Sequence, residues 1–358
     1  MKSALDQRKR CALPRYGNYN CVFRYLLEKG VNVKCILPPE ITRKTVDIGA
    51  RNSPDFVCVP FKTLLGSMIE ALEAGADTLI MPGGACRLGY YGELHEQILR
   101  DMGYEFEMIN IAEYGDLGKN ILKIIKRINP KAKVSAFLMA ALDAVKMLDY
   151  VDEITAQMYQ NCGFEINKGE YKKAYNRFLS DMFRAESRND IEDGYKRVKD
   201  AFAAIAIDKP EHPLRVGLLG EYFTIMDPPS NLYIEEKLAD MGVEVWRWLN
   251  LSNRQFKENS DRNLHVRIRD LCRYDMGPTS TETLWSAKKW AEDGFDGLIH
   301  VKSANCTPEI DLMPMLQRVG QEHKLPILFQ NYDTQTSDVG LMTRLEAFYD
   351  MISMKKRV

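Results

Sequence analysis

EALEAGADTLIMPGGAC (Glu70–Cys86) and WAEDGFDGLIHVKSANC (Trp290–Cys306) follow one pattern in the two halves of the chain. Each stretch has a helical pattern that ends at a glycine, then an aspartate, a short apolar run and a loop that contains a cysteine. An apolar run of this length with a helix before it is typical of a buried strand in a parallel sheet. The repeated pattern therefore predicts two related α/β domains.

Strand and helix patterns alternate along most of the remaining sequence. In the first half, RCALP, VNVKCILP and PDFVCVP are predicted strands, and KTLLGSMIEALEAGA is a predicted helix. The segment 166–210 is highly charged and helical, and prolines follow it where the alternation resumes. We predict two doubly wound, flavodoxin-like parallel-sheet domains, 1–165 and 211–358, with a helical connecting segment, 166–210, and an interdomain cleft.

The composition argues against several classes of protein. Apolar residues make up 45% and charged residues 28% of the 358 residues, which is typical of a globular protein with a buried core. The formal net charge is −1 with both signs interspersed, so we expect neither nucleic acid nor membrane as a partner. The amino-terminal sequence MKSALDQRKRCALPRYG has no apolar segment, so we expect a cytoplasmic protein.

Three of the eight cysteines are predicted to lie at the same edge of the sheets. Cys58 ends a predicted strand, and Cys86 and Cys306 lie in loops just past theirs. Ligands of open parallel sheets bind beyond the carboxyl ends of the strands. Thiolates there could hold an iron–sulfur cluster, because such clusters are bound chiefly by cysteine sulfur. The alternative stays open, since free cysteines often pack as small apolar residues.

The neighbours of these cysteines suit an anionic cluster. Gly83 and Gly84 would let the backbone approach it closely. Lys62, Arg87 and Lys302 each lie within four residues of one of the cysteines. Cations and helix amino termini stabilise anions and lower thiol pKa values. Three thiolate ligands would also leave one iron of a cubane open to substrate, water or a bridging sulfide.

The other cysteines have simpler interpretations. Cys162, in the loop-like sequence NCG, could be a fourth ligand or a structural thiol. The sequence has no CxxC pair, and its five histidines are dispersed, so a local zinc site is not expected. The cysteines that we expect in the apolar core are Cys11, Cys21, Cys35 and Cys272.

Three further titratable residues lie near the predicted edges. Glu309 follows Cys-Thr-Pro and could exchange protons with a substrate, although Pro308 and Glu309 are also favoured in the first turn of a helix. His300 is interpreted as a satisfied histidine within a strand. His95 is expected to be solvated on a helix face.

Several separated motifs, in order along nearly the whole chain, resemble the acyl-CoA dehydratase activase-related proteins. These proteins are relatives of the iron–sulfur subunits of 2-hydroxyacyl-CoA dehydratases and benzoyl-CoA reductases. The motifs are VCVPFKTLLGSMIEALEAGADTLIM, GGACRLGYYGEL, GLLGEYFTIMDP, GFDGLIHVKSANCTPEIDLMPML and TQTSDVGLMTRLEAFYDMI. The resemblance implies that three cysteines from two flavodoxin-like domains hold a 4Fe-4S cluster or, as in double-cubane cluster proteins, a larger assembly.

Carried over to this sequence, the ligands implied by the resemblance are Cys58, Cys86 and Cys306. A separate ATPase activator of the actin and Hsp70 fold is implied as the source of low-potential electrons, and we expect a homodimer. Where relatives often have GPC, FTCMPE and a Gly-Gly-His segment, this chain has GAC, SANCTPE and MGPTSTE. Because of these departures, the resemblance does not identify the substrate.

The resulting hypothesis is an iron–sulfur protein that accepts electrons from an ATP-dependent activator. It would reduce a small substrate or initiate radical dehydration of an acyl-CoA. The same ligands would serve a non-enzymatic electron carrier or a cluster-scaffold subunit. A third possibility is a metal-free protein that binds a small molecule.

Overall fold

The computed structural model describes residues 8–83, 90–115, 117–253, 264–274, 276–277 and 279–357. Its strands form two four-stranded sheets in which every neighbouring pair is parallel. The strands are β1 (Arg10–Ala12), β2 (Lys34–Cys35), β3 (Thr78–Met81), β4 (Glu107–Asn110), β5 (Leu214–Gly220), β6 (Val243–Arg247), β7 (Gly297–Ser303) and β8 (Ile327–Tyr332).

The strand order is β2-β1-β3-β4 in the first sheet and β6-β5-β7-β8 in the second. In both sheets the second strand of the chain pairs with one side of the first strand. The third strand pairs with its other side, and the fourth lies beyond the third. This order is that of a doubly wound sheet, with a switch point between the first and third strands. The predicted fold class of two doubly wound parallel-sheet domains is confirmed.

Helices make the connections that parallel strands require. Helix α1 continues as a π-helical stretch, Leu26–Val31, which ends at the left-handed residue Asn32. None of the described helices is both long and apolar enough to cross a membrane. The helices are α1 (Asn20–Tyr25), α2 (Arg43–Arg51), α3 (Val59–Glu73), α4 (Tyr91–Asp101), α5 (Leu117–Ile128), α6 (Val134–Asn161), α7 (Glu170–Arg184), α8 (Arg188–Ala204), α9 (Tyr222–Met226), α10 (Ile234–Asp240), α11 (Leu264–Arg267), α12 (Ser280–Glu292), α13 (Thr307–Glu322) and α14 (Asp338–Arg357).

The two sheets repeat one contact between their central strands. The backbone N–H of Arg10 donates to Asp77 Oδ1 at 3.0 Å, and Asp77 N–H donates to the Arg10 carbonyl at 2.9 Å. In the second sheet, Arg215 N–H donates to Asp296 Oδ2 at 2.8 Å, and Asp296 N–H donates to the Arg215 carbonyl at 3.0 Å. The aspartate after each helix-ending glycine therefore fixes the start of the strand pair, which explains why both stretches contain it.

The segment PDFVCVP is not a strand, so this prediction is wrong. Residues 54–58 form a turn, and α3 begins directly after Cys58. Pro60 belongs to the first turn of α3, where the missing N–H of proline costs no hydrogen bond. The end of this short apolar run is therefore the first turn of a helix. Periodicity alone does not distinguish a short strand from the start of a buried helix.

The chain divides into two compact units, and neither is a continuous stretch. The predicted connecting segment contains α7 and α8, and its residues 182–191 belong to unit 1. Unit 1 comprises Met1–Val57, Phe61–Met147 and Met182–Ile191; unit 2 comprises Cys58–Pro60, Leu148–Asp181 and Glu192–Val358.

Each unit has its own apolar core beside its sheet. In unit 1, Ile80 of β3 and Ile109 of β4 pack with Ile125 of α5. In unit 2, Leu298 of β7 packs with Trp290 of α12 and with α13. Burying apolar surface on the sheet faces is the main favourable contribution to folding.

Helices α2 and α3 approach each other closely through two glycines. A Cβ atom on Gly66 would lie 2.0 Å from the Thr45 carbonyl oxygen, and one on Gly49 would lie 1.7 Å from the Lys62 carbonyl oxygen. Beside them, Thr45 Oγ1 donates to the buried carboxylate of Glu70 at 2.9 Å. Both obstacles are backbone atoms, so neither helix can yield without moving as a whole.

We expect Gly66→Ala to lower the free energy of unfolding by about 3 kcal/mol, because overpacking forces the helices apart. Urea denaturation of the full chain measures this effect. Gly340→Ala is the control, since its Cβ would meet only the exposed Ser337 Oγ at 3.2 Å, and it should be neutral or stabilising. Equal stability of Gly66→Ala and the unaltered protein would contradict the close approach.

Candidate functional site

The candidate site lies at the carboxyl edge of the second sheet, at its switch point. Glu221 directly follows β5, and Cys306 follows β7 after a short loop. Gly220 brings these ends together, because its φ is +134° and a Cβ there would lie 1.9 Å from the Val301 carbonyl oxygen. Ligands of doubly wound sheets bind at such a point. Unit 2 therefore carries a thiol and a carboxylate at the position where this fold binds ligands.

Cys306 is the N-cap residue that directly precedes α13. It has an extended backbone, with φ −80° and ψ 96°, and Pro308 occupies the first turn of the helix. The predicted helix start at Pro308 and Glu309 is confirmed. The backbone N–H of Glu309 lies close enough to lower the Cys306 pKa slightly, without the geometry of a capping hydrogen bond.

Glu309 is fully buried and is held by two side chains from other elements. Thr279 Oγ1 donates to Glu309 Oε1 at 2.6 Å, and His300 Nε2 forms a 2.7 Å hydrogen bond with Glu309 Oε2. These contacts link the start of α13 to β7 and to the residue before α12. His300 was interpreted as a hydrogen-bonded histidine within a strand. It lies on β7, and its hydrogen-bond partner is Glu309.

Glu221 is a second buried carboxyl group in the same region. It accepts hydrogen bonds from Phe223 N–H at 2.7 Å, from Thr224 N–H at 2.9 Å and from Thr224 Oγ1 at 2.5 Å. Burial raises the pKa of Glu221, these donors lower it, and the charge of Glu309 raises it further. The two carboxyl groups are thus close enough to repel each other electrostatically.

The pKa of the Cys306 thiol is raised, not lowered as its position before a helix led us to expect. Burial is the largest cause, followed by the negative charges of Glu221 and Glu309, and Cys58 adds a smaller effect. The helix amino terminus stabilises a thiolate by less than these costs. The thiol is therefore protonated at neutral pH in the absence of a bound cation.

The structure brings Cys58 and Cys306 together. Both belong to unit 2, and Cys58 is among the groups whose charge raises the Cys306 pKa. Both thiols are half-buried, and neither forms a disulfide. Two of the three predicted ligands therefore lie within electrostatic range of each other, although Cys58 comes from a turn instead of the predicted strand.

Lys302 lies on β7 beside this group. Its Nζ donates to Asn331 Oδ1 at 2.9 Å, and burial lowers its pKa while Cys306 and Glu309 raise it. Lys302 is thus the predicted cation that the structure places next to a predicted thiol.

The remaining predicted residues are elsewhere or outside the described residues. Cys162 begins a 3₁₀ turn after α6, and burial with the charges of Glu165, Asp240 and Glu236 raises its pKa to about 12. Gly163, the next residue, packs against the backbone of Ala239 in α10, so Cys162 lies beside that helix. A ligand role for Cys162 stays a prediction.

In unit 1, Lys62 Nζ donates to the Asp55 carbonyl at 3.0 Å. Gly83 follows β3 with φ +81° and approaches Ala112. Gly84, Cys86 and Arg87 lie outside the described residues. Among the residues that are described, no three His, Cys, Asp or Glu side chains are grouped as a metal site.

The amino-acid sequence from 10 to 248 matches the family described as the CoA enzyme activase uncharacterised domain. The chain belongs to this family. The match covers 239 of the 358 residues and supports the relation to acyl-CoA dehydratase activase proteins that the motifs predicted. The narrower relation to iron–sulfur subunits stays a prediction. No curated protein matches the chain.

In this CoA enzyme activase family member, the sequence reasoning missed Glu221 and Thr279 as parts of the site. An acidic residue directly after a buried strand, as in GLLGEY, was the available signal for Glu221. Thr279 gave no such signal, because only the folded chain brings MGPTSTE to Glu309.

His95 is not solvated, so that prediction is wrong. Its side chain is fully buried between Phe61 and Tyr91, and Nε2 donates to the Phe61 carbonyl at 3.0 Å. Burial lowers its pKa from 6.5 to about 4, against a smaller opposite effect of this hydrogen bond. The imidazole is therefore neutral at physiological pH.

We expect Thr279→Val to lower the free energy of unfolding by about 1–3 kcal/mol, since it removes a donor from a buried carboxyl group without changing shape. Thr343→Val is the matched control, because Thr343 Oγ1 donates to the Val339 carbonyl on an exposed part of α14. Urea denaturation compares the two. A loss no larger for Thr279→Val than for the control would contradict the role of Thr279.

The stability of the protein should depend on His95 between pH 6.5 and about 4. The unfolded chain takes up a proton at His95 below pH 6.5 and the folded chain does not, so the free energy of unfolding falls as the pH falls. The full loss is about 3 kcal/mol. Urea denaturation at several pH values should show a shallower decrease for His95→Gln. The exposed His323→Gln is the control, and parallel curves for all three proteins would contradict the buried neutral imidazole.

Proposed function

We propose that this protein is an iron–sulfur component of the acyl-CoA dehydratase system. It would accept low-potential electrons from a separate ATP-dependent activator and use them to reduce a small substrate or to initiate radical dehydration of an acyl-CoA. The observation that carries the proposal is the electrostatic proximity of Cys58 to Cys306, which follows β7 of the second sheet, in a member of the CoA enzyme activase family.

The chemistry of the donor set fits a cluster. Cysteine sulfur is the ligand that iron–sulfur clusters require, and two thiols lie within electrostatic range of each other. Both must lose a proton to bind iron, and a bound iron ion would replace that proton as the positive charge on each sulfur. Cys86, the third predicted ligand, lies outside the described residues, and Cys162 has a separate set of charged neighbours.

A bound cluster would supply one-electron transfer, and the residues of the chain would hold and tune it. Cys58 and Cys306 would be ligands. Thr279 and His300 fix Glu309, and thereby the start of α13, so that Cys306 keeps its direction. The positive charge of Lys302 would offset the negative charge of the Cys306 thiolate.

A role for Glu309 in proton exchange with substrate stays a proposal. Its carboxyl oxygens already hydrogen-bond to Thr279 and His300, and its side chain is fully buried. Any proton transfer to a substrate would therefore pass through these partners or require Glu309 to change its contacts.

The resemblance implies that the activator is another polypeptide. A homodimer is also an expectation that follows from the resemblance.

Anaerobic reconstitution followed by iron and sulfide analysis tests the proposal. The unaltered protein should bind iron and sulfide in the ratio of a 4Fe-4S cluster or a larger assembly. Cys58→Ser and Cys306→Ser should each lose most of the iron, while Cys272→Ser should retain it, because Cys272 Sγ donates to the Tyr274 carbonyl at 3.1 Å. Cys86→Ser and Cys162→Ser then identify which of these completes the set.

Iron below one atom per chain after reconstitution, with all the serine variants alike, would refute the cluster. If the cluster forms, its oxidation by added acyl-CoA separates an enzyme from a carrier. A reduced cluster that only a protein acceptor oxidises would favour the carrier or scaffold.

A further inference from the structure

We propose that Cys11 and Cys35 form a site of reversible oxidation, at which a small-molecule disulfide converts the two thiols into a bond between β1 and the edge strand β2. The two residues lie opposite each other in this parallel pair of strands. Both are free cysteines of unit 1. The site includes neither Cys58 nor Cys306, so the proposal does not depend on the cluster.

The register of the strands gives the two residues the separation that a disulfide needs. Cys11 and Cys35 are Cα partners in the pairing of β1 with β2. Neighbouring strands of a sheet lie about 4.8 Å apart. The Cα atoms of disulfide-bonded cysteines are usually about 4.4–6.8 Å apart. The bond therefore requires no change in the pairing of the strands.

Both side chains lie on the same face of the first sheet. Cys11 belongs to the buried apolar cluster that contains Val33 and Ile125, and Cys35 packs against this cluster. The charge of Cys11 is one of the effects that raise the pKa of Cys35, so the two sulfur atoms lie within electrostatic range. The thiols are therefore neighbours on one face, and no other strand separates them.

Hydrogen bonds hold β2 in this register around Cys35. The Ile36 N–H donates to the Cys11 carbonyl at 2.8 Å. The Cys35 N–H donates to Glu28 Oε1 at 3.2 Å, and Arg24 holds the other oxygen of this carboxylate at 2.7 Å. The fold therefore aligns the two cysteines before an oxidant reacts with either of them.

The two thiols differ in their access to solvent. Cys11 is fully buried, whereas Cys35 is half-buried on the edge strand. The Cys11 sulfur also has a hydrogen bond with the Thr78 side chain, which the disulfide would replace, and hydrogen bonds of thiols are weak. An oxidant from solution would therefore react first with Cys35, and Cys11 would react second, from within the sheet.

The oxidation consists of two thiol–disulfide exchanges, here written for oxidised glutathione. The Cys35 thiolate attacks one glutathione sulfur, the S–S bond of the oxidant breaks, and one glutathione leaves and takes up the Cys35 proton. The Cys11 thiolate then attacks the Cys35 sulfur of this mixed disulfide, and the second glutathione leaves and takes up the Cys11 proton. The protein loses two electrons and two protons, which reduce the oxidant to two thiols. An excess of thiol reverses both steps.

Burial makes the site slow to react. It raises the pKa of Cys11 to about 12, with a further contribution from Asp77, and it raises the pKa of Cys35 to about 12, with a further contribution from Glu28. Only the thiolate attacks a disulfide, so a small fraction of each thiol is reactive at neutral pH. The site would therefore respond to sustained oxidation and not to a brief exposure.

Tryptic mapping of the full chain tests the proposal. Trypsin leaves the two cysteines on the separate peptides 11–15 and 35–43. The native protein is incubated for hours with oxidised glutathione, and the remaining thiols are then alkylated under denaturing conditions. We expect the two peptides to be joined and to separate after reduction. Cys21, which is also fully buried, is the control, and its peptide 16–24 should be alkylated.

Two variants test the order of the steps. Cys11→Ala removes the second sulfur, so Cys35 should retain one glutathione as a mixed disulfide. Cys35→Ser removes the accessible sulfur, so Cys11 should remain unmodified. Mass spectrometry of the intact chain measures both results. The peptide map of the unaltered protein carries the test alone if a variant does not fold.

The disulfide should also stabilise the protein, because it closes a loop over residues 12–34 in the unfolded chain. We expect the oxidised protein to unfold at a midpoint at least about 5 °C above that of the reduced protein. Cys35→Ser, treated with the same oxidant, should show no increase.

Peptides 11–15 and 35–43 that stay separate after prolonged oxidation would overturn the proposal. A link from either peptide to the peptide of Cys21 would overturn it too, as would a lower unfolding midpoint of the oxidised protein. Each of these results would mean that the folded chain does not align Cys11 with Cys35. The iron content of the reconstituted protein depends on other cysteines and is measured separately.

Discussion

A single buried carboxyl group, Glu309, connects the elements that form the carboxyl edge of the second sheet. It joins the start of α13 to His300 on β7 and to Thr279 before α12. A buried carboxyl group is costly unless its hydrogen bonds are made, and here both oxygens have a donor or partner. The position of Cys306, only three residues earlier, therefore depends on contacts that hold Glu309.

The same carboxyl groups decide the chemistry of the thiol. Glu221 and Glu309 lie near enough to Cys306 to raise its pKa, together with burial. A site arranged in this way resists forming a bare thiolate, so Cys306 would lose its proton only when iron binds in the proton's place. The raised pKa argues against a role of Cys306 as a free nucleophile.

The same aspartate contact fixes the start of the central strand pair in both sheets. The contact between Arg10 and Asp77 returns between Arg215 and Asp296, at equivalent positions of sheets with the same strand order. The two units also differ where function is expected. Among the described residues, only the second sheet carries a buried pair of carboxyl groups at its switch point.

The sequence by itself determined the parallel α/β class, the repeat and the helix start at Pro308, because periodicity, glycines and prolines act over short distances along the chain. It did not determine that PDFVCVP turns into a helix, since a short apolar run fits a strand or a buried helix equally well. Only the tertiary structure decided that Cys58 lies within electrostatic range of Cys306, that Thr279 holds Glu309 and that His95 is buried. Those contacts join residues far apart in the chain, and their energies depend on burial and on neighbouring charges that no local pattern records.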